Sequence, residues 1–273
     1  MKKTKSCPNY TSPLENTQNQ FKVCGWSSTP NQQTDIASAL PLFLPMSGGT
    51  FVMGSPPTEK GRDPDENQHL RTVNKFWIAN VEVTQKLYVQ VTKHNPSSDK
   101  HPLKPMDSIT WWEAVHFCNE LSRLLGYELV YSKLDTSTPV AHMDKNGFRL
   151  PTEAEWEWMA KHHNIDTPTP PHQSQTNWST APTNPKSPHL QWVLGNVWEM
   201  CWDLYIPYPT NSMLTVDGIP PMARVVRGGS WVDGIDIFRP ANRAFVDPNS
   251  RTDTIGFRLV RSTLFDSDTT NRI

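Results

Sequence analysis

Hydrophobic and polar residues alternate in only a few short stretches of the chain. Residues 46–55 alternate after a glycine pair, and residues 73–78 form a second alternating run. A briefer run with strand character covers residues 128–132. The pattern therefore predicts a small sheet built from short strands.

Three other stretches carry apolar residues at helical spacing. Each follows a threonine suited to cap a helix: Thr84, Thr110 and Thr152. In the last two cases a glutamate three residues later completes a capping box: Glu113 and Glu155. These signals predict short helices over 85–92, from Thr110 to a stop at Gly126, and over 153–163.

The remaining stretches predict core or surface from their composition. The aromatic run at 190–205 is dense enough to require a place in the core, whereas 165–189 is rich in Pro, Thr, Ser and Asn and predicts a long surface excursion. Residues 1–38 and 263–273 are polar and predict tails on either side of one domain over 39–262.

Composition and charge narrow the class of protein. The 273 residues carry a net charge of -1 with a pI near 6.8, which does not suggest a general nucleic-acid surface. Hydrophobic residues make up only 36%, while 25 prolines and 11 tryptophans favour many turns around an aromatic core. The longest apolar run, 39–46, is too short to span a membrane, and no secretory signal pattern is present. We expect a cytoplasmic protein, and display at a surface through a partner stays open.

Four cysteines, at 7, 24, 118 and 201, show no disulfide-rich spacing. Cys7 and Cys24 stand where two knuckles of a zinc ribbon would place ligands, but Tyr10 and Phe21 occupy the inner ligand positions. We interpret residues 1–38 as an unstructured tail or a degenerate ribbon. Cys118 lies on the apolar side of a predicted helix and is expected to pack in the core.

In the stretch 224–260, motifs that look invariant alternate with short runs whose residues have no common chemical character. Gly228 and Gly229 suit a bend or a close backbone approach. From residue 227 onward, five arginines recur through a segment that is otherwise small or apolar: Arg227, Arg239, Arg243, Arg251 and Arg258. We expect these guanidiniums to clamp carboxylates and carbonyls across loops rather than to bind a ligand.

The order of the motifs resembles that of the formylglycine-generating, or sulfatase-modifying factor, family. The matching words include Val81-Glu82-Val83-Thr84, Arg149-Leu150-Pro151-Thr152-Glu153, Gly195-Asn196-Val197-Trp198-Glu199, Arg227-Gly228-Gly229-Ser230-Trp231 and Gly256-Phe257-Arg258. The resemblance covers about 42–260. It implies an α+β fold of the C-type lectin type, with a small twisted antiparallel sheet, a few helices and much irregular structure.

The resemblance also bears on chemistry. Enzymes of this family hold copper through two cysteines that follow Arg-Gly-Gly-Ser, and here those positions are Asp233 and Phe238, neither of which supplies a thiolate for Cu(I). The formylglycine activity is therefore expected to be absent. The family's structural calcium would fall at Gly195, Val197 and Glu199, although Trp192 replaces the usual asparagine before them. No other cofactor is expected.

A narrower resemblance concerns residues 227–260, which we call the variable segment. It resembles the variable region of proteins that a retroelement diversifies by replacing template adenines, with Asn codons between fixed words. An Asn codon varied in this way never yields Lys, Glu, Gln, Met or Trp. The segment is therefore expected to display a hypervariable surface for a protein or other macromolecular ligand, without nucleic acid and without a membrane span.

The expected ligand-binding residues are fourteen: Val232, Asp233, Gly234, Asp236, Ile237, Phe238, Ala244, Phe245, Val246, Asp247, Ser250, Thr252, Asp253 and Thr254. None is of an excluded type, an outcome with a chance probability on the order of a few per cent at ordinary composition. Their apolar members would anchor a ligand and their aspartates would favour basic or hydrogen-bond-donating groups. Phe238 could instead belong to the fixed residues.

Two other functions are compatible with the same sequence. One is an enzyme or accessory factor of the formylglycine-generating type that uses other residues. The other is an undiversified structural or regulatory module of the same fold.

Overall fold

The computed structural model describes residues 30–163, 183–209 and 219–262, and these ranges contain four helices and twelve strands. The helices are α1 (Pro30–Ala39), α2 (Gln85–Thr92), α3 (Trp111–Leu124) and α4 (Glu153–His162). The strands are β1 (Phe43–Met46), β2 (Gly49–Met53), β3 (His69–Val73), β4 (Phe76–Ala79), β5 (Tyr131–Ser132), β6 (Val140–Ala141), β7 (Phe148–Arg149), β8 (Trp198–Leu204), β9 (Arg224–Arg227), β10 (Arg243–Val246), β11 (Ile255–Gly256) and β12 (Val260–Ser262). The predicted α+β class is confirmed.

The strands form two four-stranded sheets and two hairpins. The sheets have the orders β1-β4-β12-β7 and β10-β9-β8-β11, and the hairpins are β2-β3 and β5-β6. All pairs are antiparallel except β11 with β8. Strand β10, which belongs to the variable segment, lies at an edge of the second sheet.

The two four-stranded sheets lie between the same two hydrophobic cores. Neighbouring residues of β9 enter different cores: Val226 packs with the cluster around Trp111 of α3, and Val225 packs with the cluster around Trp156 of α4. Strand β12 and the residue before it divide in the same way, since Leu259 enters the first core and Val260 the second. The aromatic run predicted to lie in the core contributes to both clusters. Burial on two faces fixes the position of the strands that carry the variable segment.

The predicted helix caps are confirmed. The Thr84 hydroxyl accepts a hydrogen bond from Leu87 N, 3.3 Å away. Capping boxes form at Thr110 and Thr152, with both reciprocal hydrogen bonds present. Side-chain capping replaces hydrogen bonds that the first turn of a helix cannot make internally, which explains why these three starts were visible in the sequence.

The strand boundaries differ from the predicted runs. The first run contains β2, but β1 precedes it, and the two are joined by Gly48 with a φ of +67°. A Cβ at Gly48 would lie 2.6 Å from Val73 O, so a side chain does not fit there. The second run joins the end of β3 to the start of β4 across 74–75.

Helix α1 corrects the predicted start of the domain. Residues 30–38 were assigned to the polar tail, yet Ile36 is fully buried in the core formed with α2 and α3. The signal is weak because most residues of 30–38 are polar, although the buried Ile36, Ala39 and Leu40 lie at helical spacing. Residues 1–29, with Cys7 and Cys24, and residues 263–273 lie outside the described ranges. None of the described helices is long and apolar enough to cross a bilayer.

Candidate functional site

Arg227 anchors the start of the variable segment to α4. Its guanidinium forms an ion pair with Glu157, and both side chains are fully buried. The same guanidinium donates to Asn242 O at 2.5 Å and to Pro240 O at 3.1 Å. A single side chain thus holds β9 against α4 and fixes the turn before β10.

Arg243 makes the second anchor. It donates to the Glu153 carboxylate over 2.8 and 3.0 Å and to Asp65 at 3.2 Å. Its guanidinium also lies over the rings of Tyr205 and Tyr208, 4.4 and 4.0 Å from their centroids. The ring contacts restrict the orientation of the planar guanidinium, so Arg243 loses little further orientational freedom when it pairs with a carboxylate.

Arg239 fastens the turn of the variable segment to a separate loop. It donates to Glu66 at 2.7 and 2.8 Å, to Glu59 at 2.8 Å and to Gly61 O at 2.7 Å. Burial by itself would raise the pKa of Glu66, but the hydrogen bonds and charge of Arg239, together with hydrogen bonds from Asp63 and Ser55, lower it. Although the loop over 58–69 is rich in charged residues, Glu66 is fully buried, because Arg239 supplies its counter-charge.

The last two arginines complete the set. Arg251 pairs with Glu113 of α3 at 2.5 and 2.8 Å. Arg258 is fully buried and donates to Glu199, as well as to Ala79 O at 3.0 Å and Gln191 O at 2.9 Å. The prediction that all five arginines clamp carboxylates and carbonyls is confirmed.

The contacts of Glu199 decide against it as a calcium ligand. Its Oε1 accepts from Arg258 at 2.5 Å and its Oε2 accepts from Trp156 Nε1 at 2.9 Å. A cation bound to this carboxylate would lie against the Arg258 guanidinium and would displace these buried hydrogen bonds. The residues present at Gly195, Val197 and Glu199 therefore do not fit the calcium site that the resemblance implied.

Asp233 holds the turn after Arg-Gly-Gly-Ser. Its Oδ2 accepts from Ser230 N at 2.8 Å, from Ser230 Oγ at 2.6 Å and from Trp198 Nε1 at 2.9 Å. Ser230 is fully buried, so its polar groups depend on this carboxylate. Asp233 was predicted to face a ligand, but its contacts are those of a residue that stabilises the turn.

Phe238 also packs inward. It is half-buried against the core around Trp156, and a Cβ at Gly229 would lie 2.8 Å from its ring. Gly229 has a φ of +80°, so both its conformation and the adjacent ring require glycine. These contacts favour the alternative that Phe238 belongs to the framework of the variable segment.

The fourteen predicted residues divide into three groups by exposure. Exposed residues are Val232, Gly234, Asp236, Phe245, Ser250 and Asp253. Half-buried residues are Asp233, Ile237, Phe238, Ala244, Asp247, Thr252 and Thr254. Val246 is only 6% exposed and packs in the core, so the prediction that it faces a ligand is wrong; its side chain points to the opposite face of β10 from Phe245.

Ile235 was missed by the sequence analysis. It is 64% exposed on the 3₁₀ turn over 235–237, beside Val232, which is 53% exposed. Isoleucine belongs to the residue types that a varied Asn codon can yield, and Ile235 lies between two predicted positions. The residue type and the position of Ile235 together could have identified it from the sequence.

The two described cysteines are poor candidates for catalysis. Cys118 and Cys201 are both fully buried, and burial raises the pKa of each thiol. The positions equivalent to the copper cysteines carry the turn-stabilising Asp233 and the packed Phe238. Within the described ranges no three His, Cys, Asp or Glu side chains are grouped as metal ligands.

Comparisons with known proteins identify relatives of this chain. The model of the sulfatase-modifying factor enzyme 1-like domain matches residues 29–263. A formylglycine-generating enzyme of Thermomonospora curvata is 32% identical and aligns over 81% of this chain and 94% of its own. An inactive C-alpha-formylglycine-generating enzyme 2 of Mus musculus is 25% identical over 81% of this chain and 86% of its own.

Among solved structures, Treponema denticola variable protein 1 is 26% identical, with a TM-score of 0.66 over 81% of this chain and 95% of its own. The expected C-type lectin-like α+β fold is thus confirmed, and the relatives include both an enzyme and a protein named inactive. The chain belongs to the sulfatase-modifying factor, or formylglycine-generating enzyme, family.

Proposed function

We propose that this chain is a non-catalytic binding protein, whose exposed residues in the variable segment are diversified by a retroelement and contact a macromolecular ligand. One observation carries the proposal: the fixed arginines of the segment bind carboxylates elsewhere in the domain, while Val232, Asp236 and Asp253 are exposed. The side chains that build the fold and those that face solvent are therefore different residues.

This separation is what a diversified surface requires. Substitutions of exposed residues without structural contacts usually change the free energy of unfolding by less than about 0.5 kcal/mol. Breaking a buried ion pair costs about 3–5 kcal/mol. A segment that keeps Arg227, Arg243 and Arg258 while varying its exposed positions can change its ligand without losing its fold.

The similarity to Treponema denticola variable protein 1 supports this function, because it spans most of both chains. The similarity to formylglycine-generating enzymes gives the same fold without their copper cysteines. Fold similarity alone does not carry an activity, and the chemistry belongs to the residues of the site. Asp233 and Phe238 supply no thiolate for copper.

The locus provides the direct test. A reverse transcriptase gene should lie nearby, with a repeat of the coding segment for 227–260 that differs from it only at template adenines. Differences should fall on codons of exposed residues such as Val232, Ile235 and Asp236, and spare those of the five arginines. A locus without such a repeat overturns the retroelement proposal.

The enzymatic alternative has its own assay. The full chain is titrated with Cu(I) and incubated with a cysteine-containing sulfatase peptide and oxygen. The proposal expects no oxidation of the peptide. Tight copper binding with turnover would establish an enzyme instead.

A further inference from the structure

A loop outside the variable segment borders two of its separate parts. The loop covers 56–67, and its ends are held where Ser55 N donates to Glu66 O at 2.9 Å. Arg239 links it to the 3₁₀ turn: the guanidinium donates to Gly61 O at 2.7 Å and Arg239 Nε donates to Asp236 O at 3.3 Å. A Cβ at Gly61 would lie 3.8 Å from Asp236 O, so the two backbones are neighbours.

The other end of the loop reaches strand β10. Asp65 accepts hydrogen bonds from Arg243 and from the Tyr205 hydroxyl. The Tyr205 ring in turn lies 5.3 Å from the ring of Phe245, centroid to centroid. Loop 56–67 therefore lies next to the exposed turn and is linked to exposed Phe245 through Tyr205.

The charges of this surface are biased toward carboxylates. Residues 56–67 and 232–254 together contain eight acidic and five basic side chains, a net charge of -3. Three of the five cations are arginines bound to carboxylates, and three of the eight carboxylates are their partners: Glu59, Asp65 and Glu66. The other five carboxylates are accompanied by two cations, Lys60 and Arg62. Asp63, Asp236 and Asp253 are exposed, and their carboxylates make no ion pair within the described ranges.

Apolar side chains accompany these carboxylates. Val232 and Ile235 are exposed by 53% and 64% on two successive turns, over 230–233 and 234–237. Trp231 Nε1 donates a hydrogen bond of 3.2 Å to Asp253 O. Apolar anchors inside a rim of one charge sign are typical of interfaces that select a partner of opposite charge.

We propose that loop 56–67 forms a fixed wall of the binding surface, and that this surface takes a protein segment in which an apolar side chain is flanked by Lys or Arg. This inference rests on the proposed function. It adds a part of the site that diversification does not reach, because the loop lies about 160 residues before the variable segment. Every ligand would then meet the loop, whichever residues occupy the varied positions.

The test uses three phage-displayed peptide libraries with the full chain as bait. All three have the same length and an apolar centre, which is flanked by Lys/Arg, by Ser/Gln or by Asp/Glu. We expect the basic library to be enriched about tenfold over the neutral one, since three surface charge pairs of 0.2–1 kcal/mol each combine to that order. The acidic library should be depleted, and enrichment should fall as salt rises.

Three variants test separately whether the partner carries basic residues around an apolar side chain and whether loop 56–67 is part of the binding surface. Val232→Ser with Ile235→Ser should abolish enrichment from every library. Asp63→Asn with Asp236→Asn and Asp253→Asn should equalise the basic and neutral libraries, and Asp63→Asn alone should lower the basic preference about twofold to threefold. The matched control is Asp135→Asn with Asp144→Asn, which removes two exposed charges near the β5–β6 hairpin and should change nothing.

The outcomes are distinguishable. If the full chain enriches no library, the proposed partner, a protein segment, is wrong, and the test at the locus decides the proposed function. If the Val232/Ile235 variant enriches as well as the parent, the proposed function fails. If enrichment depends on Val232 and Ile235 but shows no basic preference, the function stands and the partner class is wrong. If the preference is basic yet indifferent to Asp63, the loop is not part of the surface.

Discussion

The Arg239 guanidinium donates hydrogen bonds of 2.7 and 2.8 Å to the carboxylate of Glu66, a residue 173 positions earlier that is fully buried. This contact joins a turn of the variable segment to a loop outside it. The pair also explains why a loop rich in charge is ordered against the domain. Without Arg239, the buried carboxylate would have no counter-charge on this side.

Arg239→Ala should therefore destabilise the protein strongly. Removing one partner of a buried pair leaves an uncompensated charge and costs about 3–5 kcal/mol of the free energy of unfolding. Chemical denaturation of the full chain measures this loss. Asp236→Ala, three residues earlier and exposed, is the control and should change the same quantity by less than about 0.5 kcal/mol.

The double variant Arg239→Ala with Glu66→Leu provides the second arm. It removes both charges and should recover part of the loss, because no buried carboxylate remains. Equal stability of Arg239→Ala and the parent would mean that the clamp does not hold the loop.

Glu82 predicts a pH dependence of stability. It is fully buried beside Glu199 and Arg258, and its Oε2 has no hydrogen-bond partner within the described ranges. Burial raises the pKa of Glu82 to about 8; Arg258 opposes this rise and Glu199 adds to it. Between about 4.5, the ordinary value, and about 8, the native protein binds a proton that the unfolded chain has lost. Stability should fall as pH rises through this window.

Glu82→Gln removes the ionisable group and should flatten that dependence. Urea denaturation from pH 5 to 8 should show the parent losing on the order of a few kcal/mol more than the variant. Asp203→Asn serves as a comparison: burial, reinforced by Glu153, raises the pKa of Asp203 from 3.8 to about 6. The effect of Asp203→Asn on the pH dependence of stability should appear between pH 3.8 and about 6. A parent-like slope in Glu82→Gln over pH 5–8 would contradict the assignment.

The sequence predicted those parts of the structure whose cause is local. Thr110 and Thr152 cap helices through residues three positions away, and the clamping role of arginines such as Arg227 followed from their repetition among small residues. The partners of those arginines were not predictable, because Glu157 and Glu66 lie 70 and 173 positions away. Helix α1 was missed since its few apolar residues are outnumbered by polar ones.

The candidate site shows the same division. The spacing between the invariant-looking motifs located the variable segment, but this spacing does not distinguish exposed residues from inward-facing ones. Asp233 is recognisable as structural only when Ser230 and Trp198 are seen to donate to it. Val246 and Phe245 lie on opposite faces of β10, and only the packing of Val246 in the core around Trp111 shows which of the two is buried.

The buried thiols yield a third prediction. Cys118 and Cys201 are fully buried, and burial raises the pKa of both thiols, so neither forms the thiolate that reacts. In a Cys7→Ser, Cys24→Ser variant, a thiol-labelling reagent at pH 8 should modify no cysteine of the native protein. The same protein in denaturant should label both. Rapid labelling before denaturation would show that the cores open or that one thiol is accessible.

The sharpest prediction contrasts exposed and fixed positions within the variable segment. Val232→Ser and Ser250→Ala should each leave the free energy of unfolding within about 0.5 kcal/mol, since these side chains are exposed. Val246→Ala removes two buried methyl groups and should cost about 1–3 kcal/mol. Asp233→Ala should cost a similar amount, because it leaves the buried Ser230 amide and hydroxyl without their acceptor.

Phe238→Ala and Phe245→Ala give the matched pair. Both remove a phenyl ring within the segment, but Phe238 fills the space against Gly195 and Gly229 whereas Phe245 is 40% exposed. Phe238→Ala should lower stability by about 2 kcal/mol or more, with the smaller loss in Phe245→Ala. Equal losses would remove the distinction between fixed and displayed residues on which the proposed binding surface depends.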